Sequence, residues 1–199
     1  MVVTESEPSA FAVPVPARRI SAVAPARREA ALVRAAQRGS GEAVGELFRL
    51  HWRQAHRAAY LVVHDAAAAE DIAQEAFLSA VRGLHRFDRR RPFGPWLHRI
   101  VVNRAIDTAR ARALRREVPD GHAPPAGADD RPSGPYSGEV MAALAGLAPE
   151  QRAVVVLRHL LGYTPGQIGR MLDVPRGTVN SRLRRGLDAL DAALSGEAQ

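Results

Sequence analysis

The stretch AEDIAQEAFLSAV gathers Glu70, Asp71, Gln74 and Glu75 into six consecutive positions. Asp71 and Glu75 stand four apart, so on a helix they are neighbours, and their like charges cost about 0.2–0.5 kcal/mol. Glu70 offsets part of that cost, because it sits near the helix N-terminus where the dipole favours negative charge. Carboxylates so placed can form a solvated face, dock a basic partner protein, or join histidines such as His64 and His85 in a metal or acid-base site. The last reading lacks supporting spacing, since there is no HExxH, no EF-hand loop and no glycine-rich phosphate loop. No metal, cofactor or catalytic residue is assigned.

Cations follow the acids. Asp88-Arg89-Arg90-Arg91-Pro92-Phe93 is a basic loop with an aromatic, and after Pro95 the residues Trp96, Arg99, Asn103, Asp107 and Arg110 recur at spacings of three and four. That period puts one aromatic and four polar side chains on one helix face, while Leu97, Val101, Ala105 and Ile106 can bury elsewhere. Guanidinium groups with aromatic rings suit single-stranded nucleic acid, where phosphates pair with arginine and unstacked bases lie on rings. The alternative is that Phe93 and Trp96 are core residues and the arginines are solvated.

GYTPGQIGRMLDVPRGTVNSRLRRGLDAL carries the densest local signals. Thr164 with Gln167 has the pattern of a capping box, and Pro165 suits the first helical position, where its missing N–H costs nothing. Ile168, Met171 and Leu172 form an apolar face, Asp173 to Pro175 interrupt it, and Pro175 opens another helix. Two helices joined by so short a turn make a helix-turn-helix. On the second helix, Val179, Leu183, Leu187, Leu190 and Leu194 fall in one stripe and are expected to face the core. Thr178, Ser181 and Arg185 point away, flanked by Arg182 and Arg184, a surface suited to phosphates and guanine edges in a major groove.

The elements that carry these groups are helical by period. Leu32, Ala35 and Ala36, then Val44, Leu47, Phe48, His51 and Trp52, trace amphipathic helices separated at Gly39 to Gly41. Asp65 is placed to cap the helix with Ile72, Ala76, Phe77, Ala80 and Val81, and a further helix is expected from about Trp96 to Arg116. After a break, Val140, Leu144 and Leu147 begin a second helical unit that includes the apolar run Ala153 to Leu161. Residues 1–27 lack periodicity and read as a disordered N-terminal arm. Residues 117–138, rich in Pro, Gly and Asp, read as a flexible linker. Residues 139–195 then form the second domain and 196–199 a tail.

The chain has 199 residues, a formal net charge of +7 and no cysteine. Disulfides and thiolate zinc sites are thereby excluded, and a cytoplasmic setting is expected. Pro14 and Pro16 break the N-terminal apolar run, unlike a secretory signal, and no apolar run reaches the ~18 residues of a membrane span. The basic surplus fits a polyanionic partner.

In this order the motifs resemble the extracytoplasmic-function (ECF) subfamily of bacterial RNA polymerase sigma factors, over about residues 28–195. AEDIAQEAFLSAV resembles the family's core-binding helix, FDRRRPFGPWLHRIVVNRAIDTARAR its promoter-melting and minus 10 segment, and the helix-turn-helix its minus 35 reader. The resemblance implies an all-α protein of two small helical domains: sigma domain 2 over 28–116 and sigma domain 4 over 139–195, joined by the linker. It implies a non-enzymatic factor whose partners are core RNA polymerase, promoter DNA and an anti-sigma factor. Carried across, Glu70, Asp71, Gln74, Glu75 and Phe77 would meet the clamp helices of the polymerase's largest subunit. Arg89, Arg90, Arg91, Phe93, Trp96 and Asn103 would capture unpaired minus 10 bases, with Arg99, Arg104 and Arg110 on the backbone. Arg176, Thr178, Asn180, Ser181, Arg182, Arg184 and Arg185 would enter the minus 35 major groove. The chain departs from the family at Gly94-Pro95, where Arg-Thr is common, and at Asp173, where the turn usually has glycine. It departs also at Gly186 and Leu187, where Ala and Arg are frequent.

Overall fold

The computed structural model of the chain describes residues 23–117 and 138–196, so the linker and most of the N-terminal arm lie outside the described residues. Four long helices form the first unit: α1 (Val23–Gln37), α2 (Gly41–Val63), α3 (Ala66–Gly83) and α4 (Phe93–Glu117), with a 3-10 turn over Leu84–Arg86 after α3. The second unit holds α5 (Gly138–Gly146), α6 (Pro149–Val155), a π-turn over Val156–Leu160, α7 (Pro165–Leu172) and α8 (Arg176–Gly196). Helix α1 opens at Val23, inside the stretch read as an arm. Helix α4 opens at Phe93, earlier than the periodicity suggested.

The breaks are where the local chemistry puts them. Ser40 accepts from the Ala43 amide at 3.2 Å and starts α2. His64 ends it in a left-handed conformation, φ 53°, with its N–H on the Tyr60 carbonyl at 2.8 Å. Asp65 then caps α3 through the Ala68 amide at 2.7 Å, and its carboxylate also meets Arg112 of α4 at 3.3 Å. Side-chain capping of this kind supplies an acceptor for N–H groups that the helix itself leaves unpaired.

The core of the first unit is rich in alanine. Ala55, Ala58, Ala59, Ala69, Ala73, Ala76 and Ala105 are fully buried, and they let α2, α3 and α4 approach closely around Val62, Leu97, Val101 and Val102. Each fully buried leucine or valine contributes roughly 1.5–3 kcal/mol over leaving it exposed.

The two units, read from the sequence as two small helical domains joined by a linker, share one continuous core. Helix α6 and the π-turn lie against α2, and α6 and α7 lie against α4. Three polar contacts stitch the seam. Arg152 donates to the Val62 carbonyl at the end of α2 (2.5 Å), and to the Ala145 and Leu147 carbonyls of its own unit at 2.6 and 2.8 Å. His98 Nδ1 of α4 shares a 2.7 Å hydrogen bond with the Tyr163 hydroxyl. Arg110 of α4 donates to Glu150 of α6 at 2.5 Å.

Two of the histidines at or near this seam are held neutral. Burial pushes His98 down to about 4, helped by nearby His51, and burial pushes His64 down to about 4, helped by the Arg152 cation. In the unfolded chain both protonate near 6.5, so below that pH the unfolded state binds more protons and stability falls. The loss runs from about pH 6.5 to about pH 4 and reaches at most about 3 kcal/mol for each residue. We expect thermal melts at pH 5 to lie well below those at pH 7, and a His64→Gln/His98→Gln double variant to show a flatter slope. An unchanged slope would contradict the assignment of these two histidines.

Candidate nucleic-acid and polymerase interfaces

The acidic surface is carried by α3. Glu70, Asp71, Gln74 and Glu75 are all exposed, whereas Ala69, Ile72, Ala73 and Ala76 of the same helix are buried. Gln74 donates to Glu70 at 3.1 Å, and Glu75 forms a short ion pair with Arg104 of α4. Phe77 lies beneath this face rather than on it, packed against Phe48 at 4.8 Å and Trp52 at 6.1 Å between ring centroids. Phe48, Leu78 and Val81 are large apolar residues left exposed on α2 and α3. Among the described residues no group of three or more His, Asp or Glu side chains could hold a metal ion.

The basic loop and α4 make the second surface. Arg89, Arg90 and Arg91 are exposed, as is Arg99, while Asn103 and Arg104 are half-buried. Asp88 organises the loop, accepting from the Arg90 amide at 3.0 Å. Phe93 is only 3% exposed and belongs to the aromatic core, 5.9 Å from Phe87 and 5.6 Å from Trp96 by ring centroid. Trp96 is half-buried against Phe87, 4.7 Å between centroids, so of the two aromatics only Trp96 presents an edge to solvent. Of the cations assigned to the DNA backbone, Arg104 is engaged by Glu75 and Arg110 by Glu150.

The N-terminus of α4 is held by a residue the sequence did not single out. Glu29 of α1 accepts from the Phe93 amide at 2.8 Å and lies 3.0 Å from His51 Nε2. Burial alone would raise its carboxyl, but the His51 contact and the Phe93 and Gly94 amides hold it below the usual range. The unusual Gly94 fits here: a Cβ at that position would lie 3.2 Å from the His51 ring. No local signal marks Glu29, because His51 and Phe93 both lie far from it along the chain, Phe93 by 64 residues.

The third surface is the helix-turn-helix of α7 and α8. Thr164 and Gln167 form the expected capping box, and Asp173 closes α7 in the left-handed conformation at φ 54°. Arg176, Asn180, Arg184 and Arg185 are exposed; Thr178, Ser181 and Arg182 are half-buried, with the Ser181 hydroxyl on the Thr178 carbonyl at 3.0 Å. One expectation fails on the opposite face. Leu187 is 40% exposed and Leu194 only half-buried; the seam runs through Val179, Leu183, Gly186 and Leu190. Gly186 takes the place of a side chain because Val155 comes so near that a Cβ would lie 3.1 Å from it. Glu150 links the second and third surfaces. Its carboxyl is held below its ordinary value, burial notwithstanding, by Arg110 and by the charge of Arg182 on α8.

A helix-turn-helix with exposed arginines, a basic loop ahead of a helix with a polar stripe, and a separate acidic face on α3 are together the features of a helical DNA-binding protein. Comparison with known proteins sharpens that class. Residues 47–115 match sigma-70 region 2 and residues 137–190 match sigma-70 region 4. The ECF RNA polymerase sigma factor SigM of Mycobacterium tuberculosis is 39% identical over 159 residues, covering 80% of this chain and 81% of its own. SigW of Bacillus subtilis is 28% identical over 175 residues, 79% of this chain and 92% of its own. Among solved structures, CnrH in complex with the cytosolic domain of CnrY superposes with a TM-score of 0.63 at 26% identity, covering 85% of this chain and 98% of that one. The chain belongs to the ECF family of RNA polymerase sigma factors.

In the helix-turn-helix, a Cβ on Gly169 would meet the Val174 carbonyl oxygen at 2.7 Å, a clash with backbone that cannot move without opening the turn. We expect Gly169→Ala to lower stability by about 1–3 kcal/mol, the range for overpacking, despite alanine's better helix propensity. Thermal unfolding measures it; a variant as stable as wild type would show that the turn is not closed as described.

Proposed function

We propose that this chain confers promoter specificity on core RNA polymerase: it docks through α3, reads minus 10 and minus 35 elements through α4 and α8, and promotes strand opening. One observation carries the reading: Glu70, Asp71 and Gln74 face outward on α3, while the basic loop and α8 present exposed arginines. Acids exposed together on a chain of net charge +7 suit a basic protein partner rather than DNA.

In this reading Glu70, Asp71, Gln74 and Glu75 meet a basic helical surface of the polymerase's largest subunit, with Phe77 supporting them from below. Arg176, Asn180, Arg184 and Arg185 face the minus 35 major groove, where bidentate arginine contacts to guanine contribute about 1–3 kcal/mol of discrimination. Arg89, Arg90, Arg91, Trp96 and Asn103 hold displaced minus 10 bases. Capturing a base costs a few kcal/mol of unstacking, which those contacts must repay. Arg110 exchanges Glu150 for a phosphate, so promoter binding loosens the seam between the two units. The bond-making chemistry belongs to polymerase. An inhibitory protein partner would act by holding the docked arrangement or covering α3. None of the helices among the described residues is long and apolar enough to cross a membrane.

Reconstituted transcription tests the proposal directly. Core polymerase with this protein should initiate at a discrete subset of a promoter library; active core that gains no promoter selectivity would overturn it. Asp71 makes no ion pair with any described residue, so Asp71→Lys tests docking without disturbing the fold. Charge reversal at a protein interface costs several kcal/mol when like charges are juxtaposed. Affinity for core should fall at least tenfold, by roughly that reasoning, with an unchanged melting temperature. Equal affinity would remove α3 from the interface.

A further inference from the structure

Helix α1 precedes the segment matched to sigma-70 region 2, yet it grips both ends of the basic loop. At the loop's start, the Gln37 side chain donates to the Leu84 and Phe87 carbonyls at 2.9 and 3.0 Å. At its end, Glu29 accepts from the Phe93 amide at 2.8 Å. Residues 29, 33 and 37 fall on one helical face, and Val33 between the two polar grips is buried. Arg34 is the next residue round the helix. It is exposed and lines an open cleft of about 500 Å³ with Phe87, Asp88, Arg89 and Arg90. That volume lies in the range of pockets that accept a small organic group.

The charges around this cleft are unbalanced. Asp88 accepts from the Arg90 amide and stands 4.0 Å from Arg91, and Glu29 is committed to the α4 amides and His51. The guanidinium groups of Arg34, Arg89 and Arg90 make no ion pair with any described residue. Three cations converging on one concavity repel one another unless an anion joins them. Their forked N–H donors match phosphate oxygens.

Resting on the promoter-opening role proposed above, we propose that α1 is part of the DNA-reading site and that Arg34 binds a phosphate of the displaced single strand. Glu29 and Gln37 are positioning residues that fix the loop opposite Arg34. The cleft is concave and lined by the Phe87 ring, which packs on the half-buried Trp96 at 4.7 Å between centroids, so it suits one unpaired nucleotide; a duplex groove would need a protruding element to enter it.

The test uses holoenzyme reconstituted from core polymerase and the full chain, binding a fork-junction promoter with a single-stranded minus 10 tail across a salt series. Arg34→Glu should weaken fork binding about tenfold or more, and Arg34→Gln should flatten the logarithmic salt slope by about 0.7, the value for one phosphate on a single strand. Arg34→Lys, which keeps the charge, should retain most of the affinity. Binding to a fully duplex minus 35 fragment and affinity for core should not change. Wild-type affinity and salt slope in Arg34→Glu would overturn the proposal, as would a defect confined to core binding, which would make Arg34 a protein contact. Wild-type holoenzyme that neither binds the fork nor initiates would instead overturn the promoter-opening role on which the proposal rests.

Discussion

Arg152 carries a charge that is only 8% exposed, and the carbonyls of Val62, Ala145 and Leu147 accept its hydrogen bonds. Val62 lies in the last turn of α2, while Ala145 and Leu147 lie at the end of α5 and just beyond it. Helix C-termini carry partial negative charge and unpaired carbonyls, so one guanidinium serves two helix ends at once. A buried cation stripped of such partners costs several kcal/mol. The position of the second unit against the first follows from that requirement: α6 must lie where Arg152 can reach the end of α2. His98 with Tyr163 and Arg110 with Glu150 then fall into register along α4.

Electrostatic pairing also connects the functional surfaces. Glu75 on α3 holds Arg104 of α4, and Glu150 on α6 stands between Arg110 of α4 and Arg182 of α8. These carboxylates occupy cations that phosphate would otherwise take. Exposed pairs of this kind contribute little to stability, typically below about 1 kcal/mol. In the proposed function their consequence is for binding: an arginine held by a carboxylate exchanges partners when DNA arrives. In that proposal Arg34, Arg89 and Arg90, which make no ion pair with any described residue, need no such exchange.

Local signals were legible in the sequence wherever the deciding interaction was local. The caps at Asp65 and Thr164 and the acidic face of α3 all depend on residues within five positions of one another. Phe93 was ambiguous because an aromatic beside arginines looks the same as a stacking ring or a core ring; its neighbours Phe87 and Trp96 bury it. Leu187 was misplaced because a glycine registers as a gap in an apolar stripe, whereas at Gly186 the gap is filled by Val155. Glu29, Gln37 and Glu150 act across 40 residues or more, and no spacing rule finds such partners. Arg152 did leave a trace: a lone cation beside the apolar run Ala153 to Leu157 must be buried with it and needs acceptors. The docking of the two units left none, since it depends on surfaces that each unit alone could expose to water.

The claim that the isolated protein holds its two DNA-reading units as one body is open to a direct measurement. The chain contains no cysteine, so a pair introduced at exposed Leu78 on α3 and Asp188 on α8 can be spin-labelled without interference. Double electron-electron resonance on the free protein should give one narrow distance distribution, and Arg152→Met should broaden it. A broad distribution in the otherwise unaltered protein, as for two domains wandering on a tether, would contradict the account.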